Sequence, residues 1–417
     1  MKKNYDIIVI GSGPAGLMAA GKLAQSGKKV AILEKMQQAA RKLRISGKGR
    51  CNLTNIAELQ DFIKQIHPSG NFLKPAFMQF FNQDLIAFME ENGIKTIVER
   101  GGRVFPESGM AKEVADNLCD WVKRSGAEIL LNNSVEKITQ NTDLTWKILT
   151  SQNEFTSKIL VICTGGMSYP ATGSSGDGYV FAKQIGHSLI DPKPALTAIK
   201  TSEKELYALK GLVLKNMKVS LYVGEKKIDD RFGEIEFYSD CIAGATVRSL
   251  SRQIVEWIDQ GKGCSLMVDL KPALDDNILD ARLLREISDK KNRVLEDIMK
   301  TLLPQSFMRL FILKAELNPA KKTIEMTAAE RKKIRLMLKN FKIPIENYCG
   351  FESAIITNGG INLNEINSKS MESKLTKNLY FAGEILNLDG DTGGYNLQIA
   401  FSTAWLAAES INKNWNE

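Results

Sequence analysis

Long apolar runs are missing from this 417-residue chain. No stretch approaches the ~20 residues needed to cross a bilayer, so no membrane partner is expected. The opening MKKNYDIIVIGSG carries two lysines and a short apolar run. That run is only about six residues long and ends in a glycine turn, which reads as a first β-strand and not as a secretion signal. Histidine is nearly absent, at two residues, and the six cysteines (51, 119, 163, 241, 264 and 349) form no CxxC or zinc-type spacing. No metal site is expected, and dispersed thiols suit reduced cysteines in a cytoplasmic protein. Internal repeats and low-complexity tracts are missing too.

What is present is an ordinary globular composition, 43% hydrophobic and 25% charged, in a chain long enough for two or three domains. The formal net charge is +8, with a pI near 9.0. This favours anionic partners without establishing nucleic-acid binding. The densest basic run is RKLRISGKGR at 41–50, with Arg41, Lys42, Arg44, Lys48 and Arg50 and no acid, followed at once by CNLTN. Such a run is usually a solvated face or a nucleic-acid arm. Half of its charge would also neutralise one dinucleotide pyrophosphate.

The residues before it favour the second use. YDIIVI (5–10) is largely apolar and β-branched, as a buried parallel strand should be. GSGPAG follows, then a small-residue helix LMAAGKLAQSG ended by Gly27, then a second strand, KVAILE (29–34). This is a βαβ unit. Gly11, Gly13 and Gly16 form its GxGxxG fingerprint. Gly11 permits the tight turn, Gly13 lets a pyrophosphate reach the amides at the helix N-terminus, and Gly16 allows close helix–strand packing. Glu34 ends the second strand, where a carboxylate accepts hydrogen bonds from a ribose 2′-OH. NAD and FAD both use this fingerprint.

Further on, Ser108 is placed to cap a helix with Val114, Leu118, Trp121 and Val122 on its apolar face, stopped by Gly126. EILLNNSVEKI (128–138) and WKILTSQNEFTSKILVICTGG (146–166) read as strand and hairpin segments. Residues 196–270 read as short strands plus one helix, VRSLSRQIVEWIDQG. The stretch from about 275 to 340 reads as helical, with a stripe of Val294, Leu295, Ile298, Met299, Leu302 and Leu303 and a capping box in TAAE (327–330). Strands return at SAIITNGGI and LYFAGE, before a final helix through LQIAFSTAWLAAESI. The layout is a nucleotide-binding α/β domain in two segments: residues 1–195 begin it, and residues 343–417 complete it with return strands. Between them come a β-rich subdomain at 196–274 and a helical one at 275–342. A domain split in this way is expected to leave a ligand cleft.

Two later motifs separate flavin from nicotinamide. VICTGGMSYPATGSSGDG (161–178) sets a strand before a glycine pair. LYFAGEILNLDGDTGGYNLQIAFSTAWLAA (379–408) is strand, acidic glycine loop and helix. A helix starting near Gly394 points its positive end at the cleft, where it stabilises negative charge on a reduced flavin. Together with the fingerprint, these make a flavin site the better account.

At these motifs the chain resembles the family of FAD-dependent oxidoreductases that includes aminoacetone oxidase and the bile-acid-operon flavoprotein BaiN. The resemblance rests on GSGPAG (11–16), KLRISGKGRCNLTN (42–55), GRVFPES (102–108), TGGMSYPATGSSGDGY (164–179), TNGGI (357–361), MESK (371–374) and LYFAGEILNLDGDTGGYNLQIAFS (379–402), in order over nearly the whole chain. It implies a Rossmann-like FAD-binding domain of the two-dinucleotide-binding-fold type, split by the β-rich and helical insertions. It implies FAD contacts from Gly11, Gly13, Pro14, Ala15, Gly16, Glu34, Lys35, Arg41, Lys42, Ser46, Gly47, Gly49, Arg50, Cys51 and Asn52. Val135, Thr164, Gly165, Gly166, Gly383, Glu384, Gly394, Tyr395, Asn396 and Leu397 complete the implied set. The segment FGEIEFYSDCIAGATV (232–247) departs from the family's glycine- and proline-rich turn, with Asp240 and Cys241 in its place. Asn387 also stands where an acid is frequent.

A flavin carries out hydride or electron transfer itself, and protein groups position and tune it. No redox-active cysteine pair lies near the first domain, which argues against a disulfide reductase. No second strand–GxGxxG–helix unit exists, so NAD(P)H is expected only as a transient donor. The leading expectation is an NAD(P)H-linked reductase of an activated C=C bond in a small molecule, with no nucleic acid bound. An oxidase of a small amine or ketone using O₂, an RNA-modifying enzyme and a non-catalytic flavin sensor remain open. Proton-donor candidates are Cys51, Tyr169 and Tyr395, and Arg103 is the candidate for an anionic substrate. His187 reads as a residue at a helix end, and His67 as a loop residue without a role.

Overall fold

A computed structural model describes residues 2–289 and 293–415. The chain divides into two compact units, residues 1–194 with 354–417, and residues 195–353.

The first unit is built on β1 (Lys2–Ile10), α1 (Pro14–Ala24) and β2 (Val30–Leu33). β1 runs parallel to β2 on one side and to β3 (Glu154–Ile162) on the other. Ile7, Ile8, Val9 and Ile10 are therefore buried from both faces, which is why this strand is apolar without alternation. The sheet runs Glu128–Leu130, β2, β1, β3, Trp146–Thr150, Val135–Gln140. β3 changes partner along its length. Its first half pairs antiparallel with Trp146–Thr150, and its last residues pair in parallel with Leu379–Phe381. The segment after residue 354 is thereby built into the sheet that holds the fingerprint. The final helix, Tyr395–Asn414, buries Ile399, Phe401, Ala404 and Leu406 in the same core.

One capping expectation is corrected. The helix Ala111–Arg124 starts after Met110, and no side chain caps it. The Ser108 hydroxyl instead bonds the Glu113 carboxylate and accepts from Met110 N–H at 3.3 Å. The apolar face formed as read, with Val114, Leu118, Trp121 and Val122 buried.

The chain leaves this unit through Leu189–Ala195 and returns through Ile356–Ile361, and these two strands pair with each other. Between them lies the second unit. Its sheet has seven strands, but they are not all short: Val213–Val223 and Lys226–Phe237 form a long hairpin. The helices Asp276–Asp289, Leu295–Met299, Gln305–Lys314 and Ala328–Lys339 share one apolar core with that sheet. The expected stripe is buried there, with Leu295, Ile298, Met299, Leu302 and Leu303 inside. The β-rich and helical stretches are thus one body. The boundary read at 342/343 falls inside the strand Phe341–Ile345, which pairs with Cys264–Asp269 and keeps residues 343–353 with this unit. Thr327 and Glu330 make the reciprocal capping box. Residues 290–292 of the stretch expected to be helical lie outside the described residues.

Among the described residues no helix is long and apolar enough to cross a membrane, and no group of three or more His, Cys, Asp or Glu is placed to hold a metal ion.

Candidate functional site

The fingerprint turn is set by close backbone approach. A Cβ on Gly16 would lie 1.9 Å from the Gly11 carbonyl oxygen, so only glycine lets α1 start there. Gly13 is the N-cap of α1, Pro14 and Ala15 open it, and no side chain caps it. Its first amides have no partner within the helix and form a ready anion site. Glu34 reaches back to this turn. Its carboxylate accepts from Ser12 N–H at 3.0 Å, from the Ser12 hydroxyl at 2.5 Å and from Met36 N–H at 2.8 Å. The backbone of Glu34 is flanked by the segment that leads to Val135, through Asn133 N–H donating to Glu34 O at 2.9 Å.

Three distant segments meet the fingerprint. Gly11 lies against Cys163 and Thr164, Gly383 against Ala15, and Gly166 against Thr357 and Glu384. Gly165 lies against Ser174. The basic run threads between them. Ala40 N–H donates to Ser12 O at 3.1 Å. Lys42 Nζ donates to Ser168 Oγ at 2.6 Å and to Glu384 Oε2 at 2.7 Å. Glu384 also accepts from Ser168 Oγ at 2.7 Å and from Thr357 N–H at 2.9 Å. The Asn52 amide donates to Thr54 O and Val104 O and accepts from Gly394 N–H at 3.0 Å, at the start of the final helix. Asn396 closes the acidic glycine loop by exchanging two 2.7 Å bonds with the Gly390 backbone, while Leu397 packs on the core.

The cations of the run do not all point at one ligand. Arg44 pairs with Asp116 at 2.7 Å and Arg50 with Glu99, and ahead of the run Lys35 pairs with Asp177 at 2.6 Å. Arg41 makes no ion pair among the described residues. Gly47 and Gly49, with Lys48 between them, adopt left-handed φ of 58°, 85° and 58° respectively. A Cβ on Gly49 would meet nothing within 4 Å, so Gly49 serves the turn that Ser46 opens, whereas a Cβ on Gly47 would lie 3.2 Å from the Asn52 backbone nitrogen, a close approach as well.

The proton-donor candidates differ sharply. Cys51 is fully buried, and burial pushes its thiol up to about 12. Tyr395 stacks edge-on against Phe62 at 4.6 Å, and burial with the Asp391 and Asp61 carboxylates raises its hydroxyl. Tyr169 is partly exposed and holds a left-handed φ of 52° in the loop fixed by Ser168. Arg103 sits on the strand Arg103–Pro106, exposed, 3.5 Å from the Glu99 carboxylate that Arg50 also holds. His187 lies just past the helix Asp177–Gln184, wholly buried between Glu365 (3.0 Å) and Ser373 (2.8 Å), and serves packing.

Sequence reading missed Ser12, Ser168, Thr357 and Tyr179. Only Ser12 had a local signal, its place between two fingerprint glycines. The Thr164 and Tyr179 hydroxyls are buried without a hydrogen-bond partner, as unspent ligand groups are. An uncapped helix start, a ribose-type carboxylate, an unpaired arginine and these orphan hydroxyls fit a flavin dinucleotide.

Comparison with known proteins gives the family. The model of the family described as "HI0933-like protein Rossmann domain" matches residues 5–410. The chain is 28% identical over 423 residues to the ribosomal RNA dihydrouridine synthase of Haemophilus influenzae, covering 99% of this chain and all of that one. It is 26% identical over 404 residues to the 3-dehydro-bile acid delta(4,6)-reductase of Clostridium scindens, covering 96% and 98%. Its fold resembles the 3-ketosteroid delta1-dehydrogenase structure from Sterolibacterium denitrificans with a TM-score of 0.54 at 12% identity, over 99% and 100% of the two chains. With nearly its full length matched by the family model, the chain belongs to the HI0933-like Rossmann-domain family and is a flavin-dependent oxidoreductase.

Proposed function

We propose that the protein is an NAD(P)H-linked reductase of a C=C bond activated by conjugation, working through non-covalently bound FAD. The carrying observation is the convergence of the α1 N-terminus, Glu34, the 163–166 loop and the Gly383–Leu397 segment at one place, in a chain with a single GxGxxG unit. In this reading FAD supplies the hydride chemistry. The amides of Gly13, Pro14's neighbour Ala15 and Gly16 hold the pyrophosphate, Arg41 offsets its charge, and Glu34 accepts from the ribose. Lys42 and Glu384 position the Ser168–Tyr169 loop. Tyr169, not Cys51, is assigned as proton donor. The reductase direction is supported by the names of three relatives matched over nearly their full length, a 3-dehydro-bile acid delta(4,6)-reductase and two ribosomal RNA dihydrouridine synthases. Six free cysteines support a cytoplasmic setting, where thiols stay reduced.

One observation favours a second substrate. Relatives named ribosomal RNA dihydrouridine synthase in both Haemophilus influenzae and Escherichia coli match 99% and 98% of this chain. With a net charge of +8, this supports uridine in ribosomal RNA as the bearer of the double bond, in place of a free small molecule.

The test is anaerobic reduction of the purified yellow protein with NADH or NADPH, followed by reoxidation. Rapid reoxidation by cyclic enones supports the small-molecule reading, and reoxidation by unmodified ribosomal RNA with loss of uridine supports the second. Reoxidation by O₂ alone, or purification of colourless protein that takes up no FAD, overturns the proposal.

A further inference from the structure

Thr357 stands on the strand Ile356–Ile361, far in sequence from the loop that carries Tyr169, and is wholly buried. Its hydroxyl oxygen accepts from Met167 N–H at 2.8 Å and from Ser168 N–H at 3.2 Å. Its own N–H donates to Glu384 Oε1 at 2.9 Å, the oxygen that also accepts the Ser168 hydroxyl at 2.7 Å. One residue therefore bonds the loop through its side chain, and the loop's carboxylate partner through its backbone. Gly166 completes the contact. A Cβ there would lie 2.3 Å from the Thr357 hydroxyl oxygen and 2.6 Å from the Thr357 Cβ, so glycine lets the chain close onto Thr357.

The two amides held by Thr357 come immediately before a reversal of the backbone. Tyr169 takes φ 52° and ψ 59°, a left-handed conformation that crowds any side chain with a Cβ. It also precedes Pro170, and a residue before proline is ordinarily extended. Such a conformation persists only where its surroundings over-determine it. Downstream, Thr172 supplies one hold, its N–H and its hydroxyl donating to Tyr169 O at 2.8 and 2.7 Å. Upstream, Thr357 supplies the other. Lys42 and Glu384 hold the Ser168 side chain, which turns about its own bonds. The Thr357 hydroxyl holds the backbone itself, and so fixes the direction in which the chain enters Tyr169.

We propose that Thr357 is a positioning residue for Tyr169: its hydroxyl clamps the Met167–Ser168 backbone, so that Tyr169 keeps its left-handed turn and presents its hydroxyl for proton transfer. The inference rests on the reading of Tyr169 as proton donor. Thr357 acts only through the loop backbone and passes no proton itself. Without its hydroxyl the Met167 and Ser168 amides lose their acceptor, a heavy loss where water does not replace it, as at the wholly buried Ser168. The loop then favours conformers in which these amides find other partners, and the Tyr169 hydroxyl is in place for only part of the time.

The experiment compares the full-length wild type with Thr357→Val, which keeps the shape and removes the acceptor, Thr357→Ser, which keeps the acceptor, Tyr169→Phe, and the double variant of Tyr169→Phe with Thr357→Val. Stopped-flow absorbance follows reduction by NAD(P)H and reoxidation by whichever of cyclic enone and unmodified ribosomal RNA reoxidises the wild type. Thr357→Val is expected to slow reoxidation about tenfold, the scale of one lost acceptor, with reduction unchanged, and Thr357→Ser to restore the wild-type rate. The double variant is expected to be no slower than Tyr169→Phe, because Thr357 works only through the hydroxyl which that variant lacks. Residue-resolved hydrogen exchange, which needs no turnover, is expected to show Met167 and Ser168 N–H protected in the wild type and exposed in Thr357→Val. Where the melting curve shows that Thr357→Val has not folded, Thr357→Ala takes its place. Fast exchange of both amides in the wild type overturns the proposal whatever the variants do. Undiminished reoxidation in Thr357→Val beside a slow Tyr169→Phe, or losses that multiply in the double variant, overturn the positioning role and leave the reading of Tyr169 standing. Undiminished reoxidation in Tyr169→Phe overturns that reading and this proposal with it.

Discussion

Glu34 serves both the fingerprint turn and, in the proposed complex, a ribose. Its carboxylate fixes Ser12 through two bonds and Met36 through one. Glu34→Ala therefore removes both a buried-turn anchor and the ribose acceptor. We expect FAD affinity to fall tenfold or more, which corresponds to about 1.4 kcal/mol, while the far-UV circular dichroism stays unchanged. Unchanged flavin retention after gel filtration contradicts the ribose assignment. Tyr169 gives a cleaner separation of steps. Tyr169→Phe is expected to slow reoxidation by the C=C substrate by about 10²-fold, the range for a lost general acid, with NAD(P)H reduction unaffected. Equal slowing of both half-reactions would mean the side chain only shapes the loop. The backbone demands on Gly11, Gly16 and Gly394, and the place of Glu34 beside the fingerprint turn, were legible because each is tied to a local backbone rule. Ser168 and Thr357 were not, since their hydroxyls matter only through partners in distant segments.

At the scale of elements, the basic loop is an ordered strap. Asn52 ties it to Thr54, Val104 and the first amide of the final helix. Asn52→Ala leaves that amide and two carbonyls without this partner, and should cost about 1–3 kcal/mol. Limited proteolysis checks this directly, with new cleavage expected within residues 41–55 and not elsewhere. A second junction is pH-sensitive. His187 is depressed by burial, which outweighs the pull of Glu365, so the folded protein keeps it neutral. Stability is then lost as pH falls below its usual 6.5, because the unfolded chain takes up the proton first. Glu365 is raised by burial but held below its usual 4.5 by Ser188 and His187, so its share is lost only at lower pH. Melting temperature should drop in two stages on acidification, and His187→Gln should remove the first. A single stage unaffected by that substitution contradicts this account. Periodicity revealed the helices and the TAAE cap, whereas it understated the Val213–Phe237 hairpin. Its exposed face and bulges break the alternation that sequence reading relies on.

For the whole molecule, the exit and return strands matter most. Leu189–Ala195 and Ile356–Ile361 are paired, so residues 195–353 enter and leave at one place. Replacing 195–353 by a short glycine-serine linker should leave the first unit folded and able to retain FAD. Reoxidation by the C=C substrate should be lost if the insertion shapes the substrate site. A colourless or aggregated product contradicts independent folding of the first unit. The merging of the second unit's strands and helices into one core was not legible in the sequence. Shared burial between non-consecutive segments leaves no periodic trace.

The internal pairing of Lys42, Arg44 and Arg50 also bears on polyelectrolyte behaviour. A cation already held by a carboxylate displaces few condensed ions when a nucleic acid approaches, whereas each newly neutralised phosphate contributes about 0.9 to the logarithmic salt slope on duplexes and about 0.7 on single strands. Despite being the most basic stretch of the chain, residues 41–50 would add little to that slope through these three, and Arg41 is spent on the pyrophosphate in the proposed complex. Any steep salt dependence in ribosomal RNA binding would therefore be a signature of other surfaces, and charge-reversal scanning outside the loop is the way to find them.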